Sequence, residues 1–470
     1  MYNKYSKKAE EFICDKEILE TIQWVKDNLD NKELIKEILE KAKKLNGIDH
    51  REALLLLECK YEDLNNEMYE LAKYIKNKIY GKRVVLFAPI YLSNYCVNGC
   101  VYCSYNYKNK EITRRKLTQE EIEKEVMALQ DMGHKRLALE IGEDPVNNSI
   151  DYVLESIKTI YGVKHKNGAI RRVNVNIAAT SVEEYKKLKD ADIGTYVLFQ
   201  ETYNKENYEK LHPFGPKHNY EYHTEAMDRA MEAGLDDVGI GVLFGLNMYR
   251  YDFVGLLMHA EHLEATMGVG PHTVSVPRIK DGNNVDSSEY SDAISDELFK
   301  KIVAILRITM PYAGIIVSTR ESQKVREETL EVGVSQISGG SKTSVGGYTT
   351  APEEKTEQFS ITDERNLEEI VEWLLKLGYV PSFCTACYRE GRTGDRFMSL
   401  AKSGQIVNCC NPNSLITLKE YVENYSLDET KNIANKVIEE ELQSIPNEKV
   451  KNLTKKYLEE ICDGKQDFRF

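Results

Sequence analysis

The sequence predicts an α/β protein built on a (β/α)8 TIM-type barrel, with a helical segment before it and a mainly helical, cysteine-bearing region after it. Three observations carry this prediction. Eight short β-rich runs alternate with amphipathic helical stretches between Val84 and Gly340. Polar or glycine-rich sequence follows strand after strand (SNYC, GED, QETY, FGLN, STRE, SGGS), as expected where strand ends converge on one catalytic face. Seven of the ten cysteines fall in two compact groups, one directly after the first strand and one beyond the last. A doubly wound sheet shares the alternation, which by itself does not reveal closure; the repeated polar endings favour the barrel.

Taken in order, residues 1–80 read as helices: ILETIQWVKDNL and KELIKEILEKAKKL place apolar side chains three and four apart, and MYELAKYIKNKIYG ends on Gly81. Residues 81–348 form the barrel. Its strands are VVLFAPI from Val84, RLALEIG from Arg136, RVNVNIA from Arg172 and TYVLFQET from Thr195. DVGIGVLFG from Asp237, TVSVPRI from Thr273, GIIVSTR from Gly314 and SQISGG from Ser335 complete the set. Periodic stretches such as TQEEIEKEVMALQDMG lie between them. Residues 349–380 read as a link, with 349–362 (TTAPEEKTEQFSIT) a solvated loop and NLEEIVEWLLKLG a helix. Residues 381–470 hold the second cysteine group and end in charged, helical sequence.

Apolar residues make up 41% of the chain, enough for a sizeable core, and no run of about 18 apolar residues offers a membrane span. The first residues, MYNKYSKKAEEF, are charged and carry no apolar signal region. These features predict a soluble, cytoplasmic protein without a membrane partner. The formal net charge of −13 gives no attraction for phosphate backbones, which argues against nucleic acid. Thiols stay reduced in such a compartment, so clustered cysteines read as metal ligands rather than disulfides. Cys14, Cys59 and Cys462 stand alone and read as small hydrophobes.

The first group is Cys96-Val-Asn-Gly-Cys100-Val-Tyr-Cys103. Three thiolates on one loop hold three irons of a 4Fe–4S cube and leave the fourth open. Zinc competes for cysteine, but it takes four ligands and this loop supplies three, with no nearby histidine. The spacing C-x3-C-x2-C, with an aromatic before the last cysteine, resembles the signature of the radical S-adenosylmethionine (SAM) superfamily. That resemblance implies SAM on the open iron and a 5′-deoxyadenosyl radical from its reductive cleavage. It also implies that Gly142, Glu143 and Asp144 meet the SAM ammonium, Tyr102 the adenine and Glu201 the ribose hydroxyls.

The second group is Cys384-Thr-Ala-Cys387 and, further on, Cys410, chosen over the adjacent Cys409. Its three thiolates suggest a second cluster; zinc with an unidentified fourth ligand is the alternative. The segments SNYCVNGCVYCSY, GHKRLALEIGEDPVNN, RRVNVNIAAT, GTYVLFQETY, GVGPHTVSVPR and FCTACYREGRTGDRFMSLAKSGQI resemble the tyrosine lyases that mature FeFe-hydrogenase. The likeness runs the length of the chain. It implies cleavage of the Cα–Cβ bond of L-tyrosine to p-cresol and dehydroglycine, then carbon monoxide and cyanide at the C-terminal cluster. It further implies two 4Fe–4S clusters and SAM, with an additional iron held through free L-cysteine and by His272. Implied partners are a reductant such as ferredoxin or flavodoxin and the other hydrogenase maturation proteins. Arg320 is the candidate for the tyrosine carboxylate, since a guanidinium presents a planar fork to such a group. Ser275 and Arg278 are candidates for the pocket wall. Lys342 stands where relatives often carry cysteine, outside either triad. The alternatives are a tyrosine lyase supplying dehydroglycine for thiamine thiazole synthesis and a zinc-bearing scaffold without catalysis.

Overall fold

The computed structural model describes residues 1–290, 292–349 and 355–470. Eight parallel strands close into a barrel: β1 (Arg83–Ser93), β2 (Arg136–Ile141), β3 (Arg172–Asn176), β4 (Tyr196–Glu201), β5 (Val238–Val242), β6 (Thr273–Ser275), β7 (Gly314–Val317) and β8 (Gln336–Ser338). Each strand pairs with the next, and β1 closes the ring by pairing β2 through Ala88↔Leu137 and β8 through Val85↔Gln336. All eight strands are those read from the sequence, and closure decides against the doubly wound alternative.

A ninth strand, β9 (Val380–Ser382), pairs parallel with the start of β1, from Arg83↔Val380 to Val85↔Ser382. Its three residues contain Pro381 and show no alternation, so no strand pattern exists to be read; Pro is tolerated because β9 lies at an edge. This pairing carries the C-terminal region to the end of the barrel where the strands begin.

The helices are set by local chemistry. The Thr118 side chain accepts from Glu121 N while Glu121 returns a bond to the Thr118 amide, fixing the start of Gln119–Asp131. Before the barrel, the helices Ala9–Phe12, Asp15–Asn28, Lys32–Ala42, His50–Glu58 and Glu62–Tyr80 pack on its flank, burying Ile18, Leu54, Leu55 and Ile75 completely. After it, Val407–Tyr425, Asp428–Gln443 and Glu448–Cys462 gather around β9 and the helix Leu367–Lys376.

Residues 350–354 of the expected solvated loop lie outside the described residues. The stretch that follows is not a solvated linker: Thr356 is buried, and Gln358 and Phe359 face the barrel interior. Phe359 turns inward because its ring stacks on the Arg320 guanidinium, 3.4 Å from the ring centre. No helix among the described residues is long and apolar enough to cross a membrane.

Candidate active site

The interior of the barrel holds a cavity of about 260 Å3. Cys96, Cys100 and Cys103 line its upper end, on the loop that leaves β1. The loop has little freedom. Arg115 N donates to Asn94 Oδ1 at 2.7 Å, and Asn98 Nδ2 donates to Glu143 Oε2 at 2.6 Å. Gly99 passes so close to Phe214 that a Cβ there would fall 2.3 Å from the ring. Burial pushes the thiols up, Cys103 to about 11 and Cys96 and Cys100 in the same direction. Thiolates are favoured there only with a bound cation, as iron would provide. Lys217 supplies fixed positive charge nearby and bridges Glu201 Oε1 at 2.9 Å. Burial opposes its charge, but Glu201 and the Cys100 thiolate hold its pKa above the usual lysine range. Glu201 takes a left-handed backbone (φ 69°) at the end of β4, which turns its carboxylate into the cavity.

Of the other expected site residues, Tyr102, Gly142, Glu143, Glu201, Ser275 and Arg320 line this cavity. Tyr102 is fixed by a 2.7 Å hydrogen bond between its hydroxyl and His212 Nε2. Two expectations are corrected. Asp144 does not face the cavity: its carboxylate accepts from Val146 N at 3.0 Å and Asn147 N at 2.9 Å, closing its own turn. Arg278 does not line the pocket either, because Glu321 (Nε–Oε1 3.0 Å), Asp296 (2.9 Å) and the Ile294 carbonyl (2.8 Å) take its guanidinium. Arg320 differs from both, since no carboxylate or carbonyl of the described residues bonds its guanidinium. Sequence reasoning missed Glu140, Asn98, Lys217 and Gln358 as cavity residues. For Glu140 a signal existed, a charge between Leu139 and Ile141 that interrupts the apolar run of β2. Lys342 is exposed and touches neither triad.

The second triad lies at the opposite end. Cys384 follows β9 directly, and Arg136, which opens β2, donates to its carbonyl at 2.8 Å. Ala386 N donates to Cys384 Sγ at 3.4 Å. Cys387, on the short helix Ala386–Arg389, bonds Cys410 on the helix Val407–Tyr425. That bond holds the Cys410 thiol below its usual range against burial, with Arg83 helping. Burial opposes the Arg83 charge, but Cys410, Tyr80 and Cys384 keep its pKa high. Three sulfurs beside a buried guanidinium are the donor set of an anionic iron–sulfur cluster. Cys409 is only half-buried on the adjacent turn. His272 sits beside the helices Ala386–Arg389 and Gly394–Lys402, its ring 4.6 Å from Phe397 and 6.4 Å from Tyr388, with Nδ1 3.8 Å from Asp237 Oδ2. Between cavity and triad stands Tyr388, its ring 3.9 Å under the Arg172 guanidinium and its hydroxyl 3.1 Å from Thr195 Oγ1. Among the described residues no three His, Cys, Asp or Glu side chains converge tightly enough for one metal ion. A cube spreads its thiolates over separate irons and does not ask for that convergence.

The superfamily model described as "Radical SAM superfamily" matches residues 90–257, and one described as "Biotin and Thiamin Synthesis associated domain" matches 275–380. The crystal structure of a HydG, a maturase of the FeFe-hydrogenase, superposes with a TM-score of 0.94 at 54% identity, over 98% of this chain and 100% of that one. HydG from Carboxydothermus hydrogenoformans gives 0.83 at 40%, over 96% and 99%. The 2-iminoacetate synthase of Escherichia coli (strain K12) is 26% identical over 73% of this chain and 89% of its own. The closed barrel and its three-cysteine loop are those of a radical SAM enzyme, which implies a 4Fe–4S cluster and SAM at the upper triad. Within that superfamily the chain belongs to the HydG family of FeFe-hydrogenase maturases.

Proposed function

We propose that the chain cleaves the Cα–Cβ bond of L-tyrosine in the barrel cavity, releasing p-cresol and dehydroglycine. The fragment is then converted to carbon monoxide and cyanide at the second triad for assembly of the FeFe-hydrogenase H-cluster. The observation that carries this reading is the placement of two thiol triads at opposite ends of one barrel, the upper facing the interior cavity with an arginine that no carboxylate or carbonyl of the described residues bonds. A relative supports the first half: the Escherichia coli protein is a 2-iminoacetate synthase, and 2-iminoacetate is dehydroglycine.

A 4Fe–4S cluster and SAM bound at the upper triad would supply a carbon radical able to remove a hydrogen atom from the substrate, at the amino nitrogen in this reading. The protein's own tasks are positioning and exclusion. Cys96, Cys100 and Cys103 hold the cluster; Gly142, Glu143, Tyr102 and Glu201 surround SAM. Arg320 takes the tyrosine carboxylate, with Ser275 on the opposite wall. Gln358 and Phe359 contribute to the cavity wall, and a bound substrate would complete the exclusion of water that a radical reaction requires. Cys384, Cys387 and Cys410 would hold the second cluster, and His272 would be a ligand for an additional iron bound with free L-cysteine. The partners that follow are a reductant such as ferredoxin or flavodoxin and the other maturation proteins, in the cytoplasm. The residue bounds 1–80, 81–348, 349–380 and 381–470 are carried as proposed functional divisions.

The test is anaerobic reconstitution with iron, sulfide and cysteine, then SAM, tyrosine and reductant, with p-cresol, cyanide and carbon monoxide assayed together. All three products are expected. Cresol without the diatomics would transfer the reading to dehydroglycine supply for thiamine thiazole. No cresol from protein holding its SAM cluster would overturn the substrate.

A further inference from the structure

Glu140 is an ionisable side chain on a barrel strand that the reading above leaves without a task. It stands opposite Tyr91 on one side and Asn176 on the other in the β1–β2–β3 register. Asn176 Nδ2 donates to Glu140 Oε2 at 2.8 Å, and no donor among the described residues reaches Oε1, although the residue lines the cavity. The ionisable groups around it are Tyr91 from β1, Tyr105 from the cysteine loop and Arg320 from the segment after β7. Tyr91 is engaged elsewhere, its hydroxyl donating to Gln358 Oε1 at 3.0 Å.

Glu140 and Arg320 therefore share a cavity, carry opposite potential charges and do not form an ion pair. Buried groups of opposite sign normally collapse onto one another or find other partners. Two held apart are the complement of an α-amino acid, its carboxylate on the guanidinium and its amino group on the free carboxyl oxygen. The chemistry requires more than binding. An ammonium has no lone pair to stabilise a nitrogen radical, so removing a hydrogen atom from nitrogen requires the neutral amine.

We infer that Glu140 accepts the proton of the substrate's α-ammonium group, through Oε1, before the hydrogen atom is removed. One N–H bond breaks heterolytically, its electron pair stays on nitrogen, and an O–H bond forms on Glu140; no oxidant or reductant is involved. Arg320 fixes the carboxylate and so the position of the amine. The titration behaviour agrees. Burial pushes Glu140 up to about 8, against the Asn176 hydrogen bond and the Arg320 charge. A chain-terminal α-amino group titrates at about 8 and that of a free amino acid roughly one unit higher, so the transfer is uphill by only about tenfold.

This inference rests on tyrosine being the substrate, and the test separates the two. Holoenzyme loaded with SAM but not reduced is titrated with tyrosine at pH 7 by calorimetry in buffers of different ionisation heat. The empty site is mostly protonated there, and in the complex carboxyl and amine share a single proton. Wild type should therefore release about one proton on binding. Glu140→Gln should release about none, and 3-(4-hydroxyphenyl)propionate, which lacks the amine, should release none from either. In turnover, Glu140→Gln should lose roughly 100-fold in p-cresol rate at pH 7, with the deficit narrowing towards pH 9.5 as tyrosine arrives deprotonated. Glu140→Asp keeps a carboxylate and should keep the proton release, so a folding defect in the glutamine variant does not mask the answer. Equal proton release in wild type and Glu140→Gln, or a deficit that is the same at every pH, overturns the inference while tyrosine stands. A wild type that makes no p-cresol overturns both.

Discussion

Gly142 offers the sharpest test of how the upper site is held. A Cβ at this position would lie 2.4 Å from the Tyr95 carbonyl oxygen and 3.1 Å from Cys96 Cβ. Carbon–oxygen contacts close at about 3.3 Å, so Gly142→Ala forces roughly 1 Å of backbone movement. The movement cannot be local. Gly142 N donates to the Ser93 carbonyl at 3.0 Å, and Asn148 Nδ2 bridges the Gly142 and Tyr95 carbonyls at 2.7 and 2.9 Å. Overpacking costs about 1–3 kcal/mol and a lost hydrogen bond about 1 kcal/mol, together roughly 2–4 kcal/mol. Because the strain falls on the turn beside Cys96, it is expected to weaken SAM binding, by about 30-fold or more. The assay is titration of the reduced cluster's EPR signal with SAM, with iron content per chain as the loading control. SAM affinity and p-cresol rate within twofold of wild type would refute the reasoning, since the loop would then yield freely.

Three further outcomes are expected. Cys384→Ala should keep p-cresol formation within about twofold while cyanide and carbon monoxide fall by more than about tenfold, because Cys384 lies at the far end of the barrel; an unchanged cyanide yield would sink the two-centre reading. Lys217→Met leaves Glu201 buried without its cation and should destabilise the protein by about 3–5 kcal/mol in denaturant unfolding; Lys217→Met/Glu201→Gln should recover part of that, and equal losses in both would exclude the pairing as the cause. Burial pushes Lys76 down to about 7, below its value in the unfolded chain, so its contribution to stability is full above about 10.4 and is lost as pH falls through about 7. Lys76→Met should accordingly gain stability at pH 7 and much less at pH 10, read as the shift in denaturant midpoint; a pH-independent difference would count against it.

The barrel was legible because its signal is repeated: eight β-rich runs recur between amphipathic helices, and six of them are followed by polar or glycine-rich sequence at the same end. β9 was not, since three residues with a proline carry no periodicity and are strand only through pairing with β1. The cysteine loop announced itself by spacing, which chain geometry preserves at short range. Lys217, in the 3-10 turn Pro216–His218 that follows the helix Lys205–Leu211, reaches the same site by a tertiary contact that no local pattern encodes. The two misplaced residues fail for one reason. Asp144 and Arg278 stand at strand ends, where polar groups serve either ligand or loop, and only the partners decide: a tight turn in one case, Glu321 and Asp296 in the other. The expected solvated loop erred the opposite way, because polar composition hid the one aromatic, Phe359, that pins it to Arg320.

The second centre is supported most strongly by polarity left without partners. Folded chains satisfy nearly all buried polar atoms. Among the described residues the exceptions include Arg83 Nε, Arg136 Nε, Arg172 Nε, Arg392 Nε, Thr273 Oγ1 and both oxygens of Asp237. Arg83, Arg136, Arg172 and Thr273 stand at the beginnings of barrel strands, Asp237 just before one, and Arg392 just beyond the Cys387 helix. Stability alone would have replaced such groups with apolar side chains, since each unpartnered one costs about 1–3 kcal/mol. Of these, Arg83, Arg136 and Arg392 act directly on Cys384, Cys387 or Cys410, as expected if an anionic group fills that space. An anionic iron–sulfur cluster would supply acceptors for the guanidiniums. Tyr388, under the Arg172 guanidinium and hydrogen-bonded to Thr195, anchors the Cys387 helix to the starts of β3 and β4.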